Sequence, residues 1–287
     1  MERVLPADKG RATVILDKNT YFQKMDDLLS DAATYKKLAG DPTNTNRNAI
    51  IAALAPIEKY VPPSLHKRLF PTTTNPPRMF GQPKIHKTGL PMRPIVSARD
   101  TIFSELTREC ARILTPLVGG SQHHLRDSID LVDKLRDKVI PPDFRLVSFD
   151  LVSMFTNIPQ ADAIRIAKDK LAGDPTLHER TPIKVEDIVN LIRQDLELAY
   201  FQWRGEFFAQ PKGLGMGKST SSPLSDLFME DFEQKALQNY ETGSEGVSPS
   251  DVILFWYRKA DDTITAIHKH HITPFFNYIN NIHPDIK

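Results

Sequence analysis

The chain has 287 residues, of which 40% are hydrophobic and 25% charged, and its formal net charge at pH 7 is +1. This composition is typical of globular proteins with one large or two smaller domains. No segment resembles a secretory signal or approaches a membrane span, so we expect a protein that is neither secreted nor membrane-bound. The single cysteine, Cys110, excludes an internal disulfide and a cysteine-rich zinc site, and it predicts the nucleus or cytoplasm.

Hydrophobic periodicity and turn residues predict the elements of the first half of the chain. The earliest is an amphipathic helix with apolar residues on one face at helical spacing: Phe22, Met25, Leu28 and Leu29. The other elements are a strand at 12–16, a helix at 46–60, a β-hairpin from Arg78 to Ser97 that turns at Thr88-Gly89, and helices at 101–117 and 128–138.

The second half is predicted in the same way, and its elements alternate between helices and hairpins. They are a strand ending at Asp150, a helix after Pro159 with Ile164, Ala167 and Leu171 inward, a helix at 184–200, a hairpin at 201–210 that turns at Arg204-Gly205, a helix at 223–239, a polar loop at 242–251, a hairpin with Asp261-Asp262 at its tip, and a helix at 273–281. This order predicts an α+β fold, in which helices pack behind a small antiparallel sheet.

Two apolar runs end in aspartates. RLVSFD ends at Asp150, and VILFWYRKADD ends at Asp261 and Asp262. Continuous apolar runs of this length are typical of buried central strands, which would deliver the carboxylates where the strands emerge. Mg²⁺ binds a few carboxylate oxygens and leaves its other positions to phosphate and water, so the pattern favours two-metal phosphoryl transfer. The alternative is that these aspartates only form turns or caps.

The segment from Lys59 to Arg99 is strongly basic, although the whole chain is nearly neutral. It contains no Asp or Glu and has Lys or Arg at positions 59, 67, 68, 78, 84, 87, 93 and 99. Such a segment is typical of a surface that binds a phosphate backbone or a triphosphate. The alternative is a solvated, proline-interrupted loop with ordinary surface lysines.

Several motifs follow one another along the chain. They are LPADKGRATVILDKNTY (5–21), FGQPKIHKTGLPMRPIVSARD (80–100), SFDLVSMFTNIP (148–159), QPKGLGMGKSTSSPLSDLFMEDFE (210–233), the Asp-Asp hairpin and IHPDIK (282–287). The order of strand with Asp, glycine-rich loop with helix, and Asp-Asp hairpin resembles the palm of a reverse transcriptase. The whole set resembles the reverse transcriptase of Penelope-like retroelements.

The resemblance implies catalytic roles for three aspartates and a nucleotide-binding role for Phe155. Asp150 and Asp261 would ligate two Mg²⁺ ions, with Mn²⁺ as an alternative, and Asp262 would support them. Phe155 would be the steric gate that favours deoxynucleotides over ribonucleotides.

Further residues would bind the nucleotide. Arg93, with Lys84 or Lys87, would neutralise the triphosphate, because a guanidinium can bind phosphate oxygens in a bidentate manner. The template and nucleotide pocket would be lined by Gln210, Gly213 and Gly217, since glycine lets the backbone approach a ligand closely.

The implied molecule is an RNA-directed DNA polymerase that uses an RNA template, a DNA primer and dNTP substrates. Its right-hand fold would comprise an N-terminal extension at 1–60, fingers at 61–125 and 156–210, and a palm at 126–155 and 211–287. The thumb and the GIY-YIG endonuclease of the family would be absent, so the chain is expected to be a truncated form.

The hairpin tip departs from the family pattern, since Lys259 replaces the usual aromatic residue. A lysine there must either reach outward or bury its charge at a cost of several kcal/mol. The glycine-rich loop also differs, with MGKSTSS (216–222) in place of MGSPLSP. Two interpretations therefore stay open: an active polymerase domain, and a catalytically dead remnant that binds nucleic acid.

GLGMGKST also looks like a phosphate-binding P-loop, which would make the chain an NTPase. That motif requires a glycine five residues before Gly217, but Lys212 occupies the position. A P-loop also normally follows an early strand of a parallel sheet, and this loop begins at residue 213. Both features argue against a P-loop.

Overall fold

A computed structural model describes residues 2–243 and 246–287 of the chain. The strands are β1 (Glu2–Pro6), β2 (Thr13–Asp17), β3 (Lys36–Lys37), β4 (Arg78–Pro83), β5 (Met92–Ser97), β6 (Phe144–Asp150), β7 (Tyr200–Trp203), β8 (Glu206–Ala209), β9 (Ile253–Lys259) and β10 (Asp262–His268). The predicted polar loop at 242–251 includes Ser244 and Glu245, which lie outside the described residues.

The α-helices precede, separate and follow these strands. They are α1 (Lys18–Leu29), α2 (Thr43–Glu58), α3 (Pro63–Leu69), α4 (Ser104–Leu114), α5 (Ser128–Leu135), α6 (Met154–Asn157), α7 (Gln160–Ala172), α8 (Leu177–Arg180), α9 (Val185–Glu197), α10 (Ser221–Gln238), α11 (Pro249–Val252) and α12 (Ile272–Ile282). The predicted mixture of helices and small sheets is confirmed. Within the described ranges, no helix combines the length and apolarity that a membrane crossing requires.

The chain forms two compact units. One comprises Met1–Ile113 and Pro175–Ser222, and the other comprises Leu114–Asp174 and Pro223–Lys287. Each unit is therefore assembled from two separate stretches of sequence, and the first sixty residues belong to the first unit.

The first unit contains a sheet with strand order β3-β8-β7-β4-β5 and a separate β1-β2 ribbon. The predicted hairpin is confirmed, since β4 and β5 pair antiparallel from Arg78↔Ser97 to Pro83↔Met92. Residues of α1, β4, β5, β7 and β8 share one apolar core. The sequence placed Met25 and Leu29 on the inner face of α1, and both are buried.

Two local features of the first unit follow from side-chain chemistry. Asp17 starts α1, because its carboxylate accepts hydrogen bonds from the amides of Asn19 and Thr20 at 2.8 and 3.1 Å. The same hydrogen bonds, with that from Thr20 contributing most, lower the pKa of Asp17. The β7-β8 hairpin turns at Arg204 and Gly205, as predicted, with both residues at positive φ.

The second unit contains a three-stranded antiparallel sheet with the order β6-β10-β9. The prediction that both aspartate-bearing runs form central strands is wrong, because β6 and β9 are the outer strands. A three-stranded sheet has one central position, and β10 occupies it. Leu146 of β6 is 59% exposed, whereas a buried central strand would cover it.

Helices cover this sheet as expected for an α+β layout. A core formed by residues of α10, β9, β10 and α12 includes Trp256, Ile267 and Phe275. The predicted helix after Pro159 is confirmed as α7, in which Ile164, Ala167 and Leu171 are buried.

Two buried tyrosines of the first unit predict a loss of stability at alkaline pH. Tyr35 is 6% exposed and Tyr200 is 2% exposed, and burial raises the pKa of each to about 12. Between pH 10 and 12 the unfolded chain loses these protons while the folded chain keeps them, so the free energy of unfolding must fall as pH rises. From pH 8 to 11 we expect a loss of about 1 kcal/mol per tyrosine, measured by urea unfolding.

The control for this prediction is substitution of each tyrosine by phenylalanine, which removes the titrating group. Tyr35→Phe and Tyr200→Phe should each flatten the dependence of the unfolding free energy on pH. An unchanged slope in both variants would contradict the assignment.

Candidate active site

The three predicted catalytic aspartates meet at one end of the second unit's sheet. Asp150 is the last residue of β6, and Asp262, the first residue of β10, is its direct partner in the antiparallel register. Asp261 precedes Asp262 in the tight turn from β9, and its carbonyl accepts a hydrogen bond from the amide of Leu151 at 3.2 Å. Residues about a hundred positions apart in sequence are thereby held together by backbone contacts.

The register also gives the faces of the sheet. Directly opposed residues of antiparallel strands project from the same face, with Cα atoms about 4.5–5.5 Å apart. Asp150 and Asp262 therefore share a face, and both are exposed. Asp261 is half-buried and lies in the turn, where strand alternation no longer applies. The resemblance implies only a supporting role for Asp262, but it is Asp262 that lies directly opposite Asp150.

These carboxylates are chemically suited to hold a magnesium ion. In the described part of the chain, none of the three makes a side-chain hydrogen bond or ion pair. Over the same residues, no group of three or more His, Cys, Asp and Glu side chains is arranged to hold a metal ion. The donor set still fits Mg²⁺, because this ion is usually bound by one or two carboxylates together with water and substrate phosphate.

Lys259 lies directly opposite Asp262 in the β9-β10 register. It is exposed, and its ammonium group donates a hydrogen bond to the backbone carbonyl of Arg126. Of the two outcomes expected for a lysine at this position, the structure has the outward one, without a buried charge. The ammonium is thus engaged with a neutral carbonyl oxygen instead of competing for a carboxylate.

Phe155 lies in the same unit as the aspartates. After Asp150, the chain turns through Ser153, which has a left-handed backbone conformation with φ 51°, and enters the short helix α6. Phe155 is the second residue of this helix and is half-buried. Local backbone geometry therefore places Phe155, the predicted steric gate, at the start of the helix that follows Asp150.

The predicted nucleotide-binding residues other than Phe155 belong to the first unit. Gly217 lies against β5 with φ +114°, and a β-carbon on it would come within 2.3 Å of the Val96 carbonyl oxygen. The neighbouring Met216 carbonyl accepts a hydrogen bond from the Val96 amide at 2.7 Å. Only glycine fits this close approach, so the glycine-rich loop is fixed onto β5. Gly213 also has a positive φ, of 76°.

The other predicted residues surround the same loop and the β4-β5 hairpin. Gln210 is buried, and its side-chain amide donates a hydrogen bond to the Lys212 carbonyl at 3.2 Å. Lys84 and Lys87 lie in the loop that joins β4 to β5, where Lys87 is exposed and Lys84 half-buried. Arg93, on β5, has Nε 2.9 Å from Oδ1 of Asp8. Its guanidinium is thus paired with an acid yet remains 37% exposed.

Lys218, the residue that suggested a P-loop, is buried. Its ammonium lies 3.0 Å from Oδ1 of Asp195, and the two side chains are only 3% and 0% exposed. Thr220 donates a further hydrogen bond to the other carboxylate oxygen of Asp195. Lys218 therefore neutralises a buried carboxylate on α9 and does not present its charge to a nucleotide, which removes the basis of the P-loop interpretation.

Sequence reasoning missed Arg258, two residues before the hairpin turn. It is fully buried and contacts Glu233 and Asp226 of α10. The one available signal was its charge inside an otherwise apolar run, which is typical of a strand that buries an ion pair.

Comparisons with known proteins bear on the fold. No known family model matches the chain. No curated protein matches it in sequence.

Solved structures do match. Apo telomerase from Candida tropicalis, truncated from its C-terminal domain, superposes with a TM-score of 0.63 at 12% identity, over 96% of this chain and 54% of that one. Telomerase from Candida albicans, in complex with a TWJ fragment of telomeric RNA, has a TM-score of 0.60 at 12% identity, over 98% of this chain and 47% of that one. The BmCPV RNA-dependent RNA polymerase at quiescent state has a TM-score of 0.52 at 8% identity, over 93% of this chain and 24% of that one.

The chain spans about half the length of these telomerases and a quarter of the viral polymerase. At such low identity, the similarity concerns the fold alone. The chain has a nucleic-acid-polymerase-like fold, similar to that of these telomerases and of the viral RNA polymerase.

Proposed function

We propose that this chain is the reverse transcriptase domain of a Penelope-like retroelement, which extends a DNA primer on an RNA template. The observation that carries the proposal is the meeting of Asp150, Asp261 and Asp262 at one end of an antiparallel sheet, in a chain with a telomerase-like fold. The motifs around these aspartates and in the basic segment supply the assignment to Penelope-like elements.

In the second unit, Asp150 and Asp261 would hold two Mg²⁺ or Mn²⁺ ions, with Asp262 beside them. When bound, the ions would lower the pKa of the primer 3′-hydroxyl and stabilise charge on the transferring phosphorus. The strand ladder and the hydrogen bond from Leu151 to Asp261 fix the separation of the aspartates before any ligand arrives. Such preorganisation of the backbone would reduce the rearrangement that metal binding requires.

The other residues would select and hold the nucleotide. Lys84 and Lys87 would supply positive charge for a triphosphate, together with the exposed part of the Arg93 guanidinium, which also pairs with Asp8. Gln210, Gly213 and Gly217 would supply a loop that a ligand can approach closely. The ring of Phe155 would exclude a ribose 2′-hydroxyl. The one cysteine, Cys110, is a free and buried thiol, which is compatible with the nucleus or cytoplasm as the location.

A catalytically dead nucleic-acid-binding remnant is the second candidate, and Lys259 is the observation that favours it. An aromatic ring is expected at this position, and the lysine directs its side chain outward to Arg126. The turn therefore lacks the apolar contact that an aromatic side chain would supply. Such a remnant would keep the basic residues of the segment from Lys59 to Arg99.

Primer extension on an RNA template separates these candidates. We expect the chain to incorporate dNTPs with Mg²⁺ or Mn²⁺, to stop when the ions are chelated, and to bind RNA with salt-sensitive affinity. Lys259→Tyr should extend primers at least as fast as the parent. Extension by Lys259→Tyr but not by the parent would show that this lysine makes the parent chain inactive.

The control is Lys269→Tyr, the same change at an exposed lysine in the second unit, where the side chain pairs with Asp143. It should leave extension unchanged. RNA binding without extension by any variant would overturn the polymerase proposal and leave the binding remnant. A chain that neither binds nor extends would exclude both candidates.

A further inference from the structure

The second unit buries one complete arginine side chain beneath the aspartate turn. Arg258 is 0% exposed, although it carries a permanent positive charge. In the β9-β10 register it opposes Thr263, whereas the next residue, Lys259, opposes Asp262. Because side chains alternate along a strand, Arg258 projects from the face opposite to Asp262 and towards α10.

The guanidinium is bound on several sides. Its Nε donates to Oε1 of Glu233 at 2.7 Å, and its Nη1 donates to Oδ1 of Asp226 at 3.2 Å. Asp226 and Glu233 are seven residues apart on α10, two helical turns, so they present their carboxylates on one side of that helix. The indole of Trp256 donates to the same Glu233 oxygen at 2.9 Å.

Arg258 also contacts the turn that carries Asp261 and Asp262. Nη1 of Arg258 also donates to the carbonyl oxygen of Ala260 at 3.0 Å. Ala260 immediately precedes Asp261 and has φ 53°, a left-handed conformation that alanine rarely adopts. The hydrogen bond from Arg258 therefore stabilises a turn whose backbone conformation is unfavourable. Asp226 and Glu233 of α10 in turn hold the guanidinium in place.

The backbone of Arg258 is held as well. Its amide donates to the His123 carbonyl at 2.8 Å, and its carbonyl accepts from the Leu125 amide at 2.8 Å. The residue thus joins three parts of the second unit: the 123–125 segment, α10 and the aspartate turn.

We propose that Arg258 is a positioning residue that fixes the turn carrying Asp261 and Asp262 relative to Asp150. A buried ion pair is by itself weak evidence for stability, since well-packed apolar residues often stabilise a protein as much or more. The planar guanidinium, however, bonds to two carboxylates and the turn carbonyl at once, which no apolar side chain can do. The catalytic role of the aspartates rests on the proposed function. The stabilisation of the turn by Arg258 does not depend on it.

Arg258→Lys tests the proposal, because lysine keeps the charge but donates from a single nitrogen and cannot span all three acceptors. Hydrogen exchange should become about 10-fold faster at the Leu151 amide, which is bonded to Asp261, and across residues 258–263. Exchange inside β10, at Thr265 and Ile267, should not change. Equal acceleration throughout β10, or none at the turn, would overturn the proposal.

A milder variant covers the case in which Arg258→Lys does not fold. Asp226→Asn removes one charged contact of Arg258 and should accelerate exchange at the turn in the same pattern but by a smaller factor. Asp231→Asn is the matched control on the same helix, because Asp231 pairs with the exposed Lys235. Equal effects of these two variants would contradict a specific role for Arg258.

Metal binding and kinetics separate this proposal from the proposed function. Arg258→Lys should weaken Mn²⁺ binding several-fold by electron paramagnetic resonance, and should lower kcat about 10-fold without changing KM for dNTP. A parent chain that binds no Mn²⁺ and extends no primer would overturn the proposed function. The exchange pattern at the turn would still decide whether Arg258 positions it.

Discussion

Primer extension by Asp150→Asn should fall at least ~1000-fold below that of the parent chain. The substitution keeps the size of the side chain but removes the negative charge that would hold a divalent ion. Loss of one metal contact removes several kcal/mol of transition-state stabilisation, and 1.4 kcal/mol corresponds to a factor of ten in rate. The measurement is single-turnover incorporation of one dNTP on an RNA template with saturating Mg²⁺.

Asp143→Asn is the matched control for this loss. Asp143 immediately precedes the same strand at its opposite end, and its carboxylate lies 2.6 Å from the ammonium of Lys269. Both are surface aspartates of the second unit, so Asp143→Asn should retain extension. Asp150→Asn should unfold at the same temperature as the parent and bind RNA as tightly. Equal extension by the two variants would contradict a catalytic role for Asp150.

The same assay distinguishes the two turn aspartates. The family resemblance implies that Asp261 is the ligand and Asp262 its support, whereas the register sets Asp262 directly opposite Asp150. A larger loss in Asp261→Asn than in Asp262→Asn would support the roles implied by the resemblance. The reverse order would assign the ligand role to the residue that shares a face with Asp150.

Lys218→Met should destabilise the first unit by about 3–5 kcal/mol. This is the typical effect of removing one partner from a buried ion pair, since the remaining charge stays uncompensated. Here the remaining carboxylate belongs to Asp195, which is fully buried. The variant also loses the contact of the ammonium with the ring of Phe103, whose centroid is 4.3 Å away. Urea unfolding followed by circular dichroism measures the change.

Two further variants make this result specific. Lys87→Met, at an exposed lysine, should change the unfolding free energy by less than about 0.5 kcal/mol. Combining Lys218→Met with Asp195→Leu should recover much of the loss, because no charge is then left buried. A stable Lys218→Met variant that loses ATP hydrolysis would contradict the structural role and restore the P-loop interpretation.

Turn residues and hydrophobic periodicity predicted most of the helices and strands, because both report on local backbone geometry. Turn chemistry predicted the β7-β8 hairpin, since Arg204 and Gly205 adopt two positive φ angles that reverse the chain without splaying the strands. Helical spacing identified Met25 and Leu29 as core residues, because periodicity reports which face of a helix is covered. It also indicated the inner face of α7.

The sequence by itself determined which residue types the site contains: aspartates at the ends of apolar strands, a glycine-rich loop and a basic segment. Tertiary structure alone decided the strand order, which makes β6 an outer strand and sets Asp150 opposite Asp262. It also decided which basic side chains are buried. Lys218 is buried against Asp195 and Arg258 against α10, whereas Lys259 is exposed. These outcomes depend on partners that are distant in sequence, and the energy of a charge depends on its surroundings once the chain has folded.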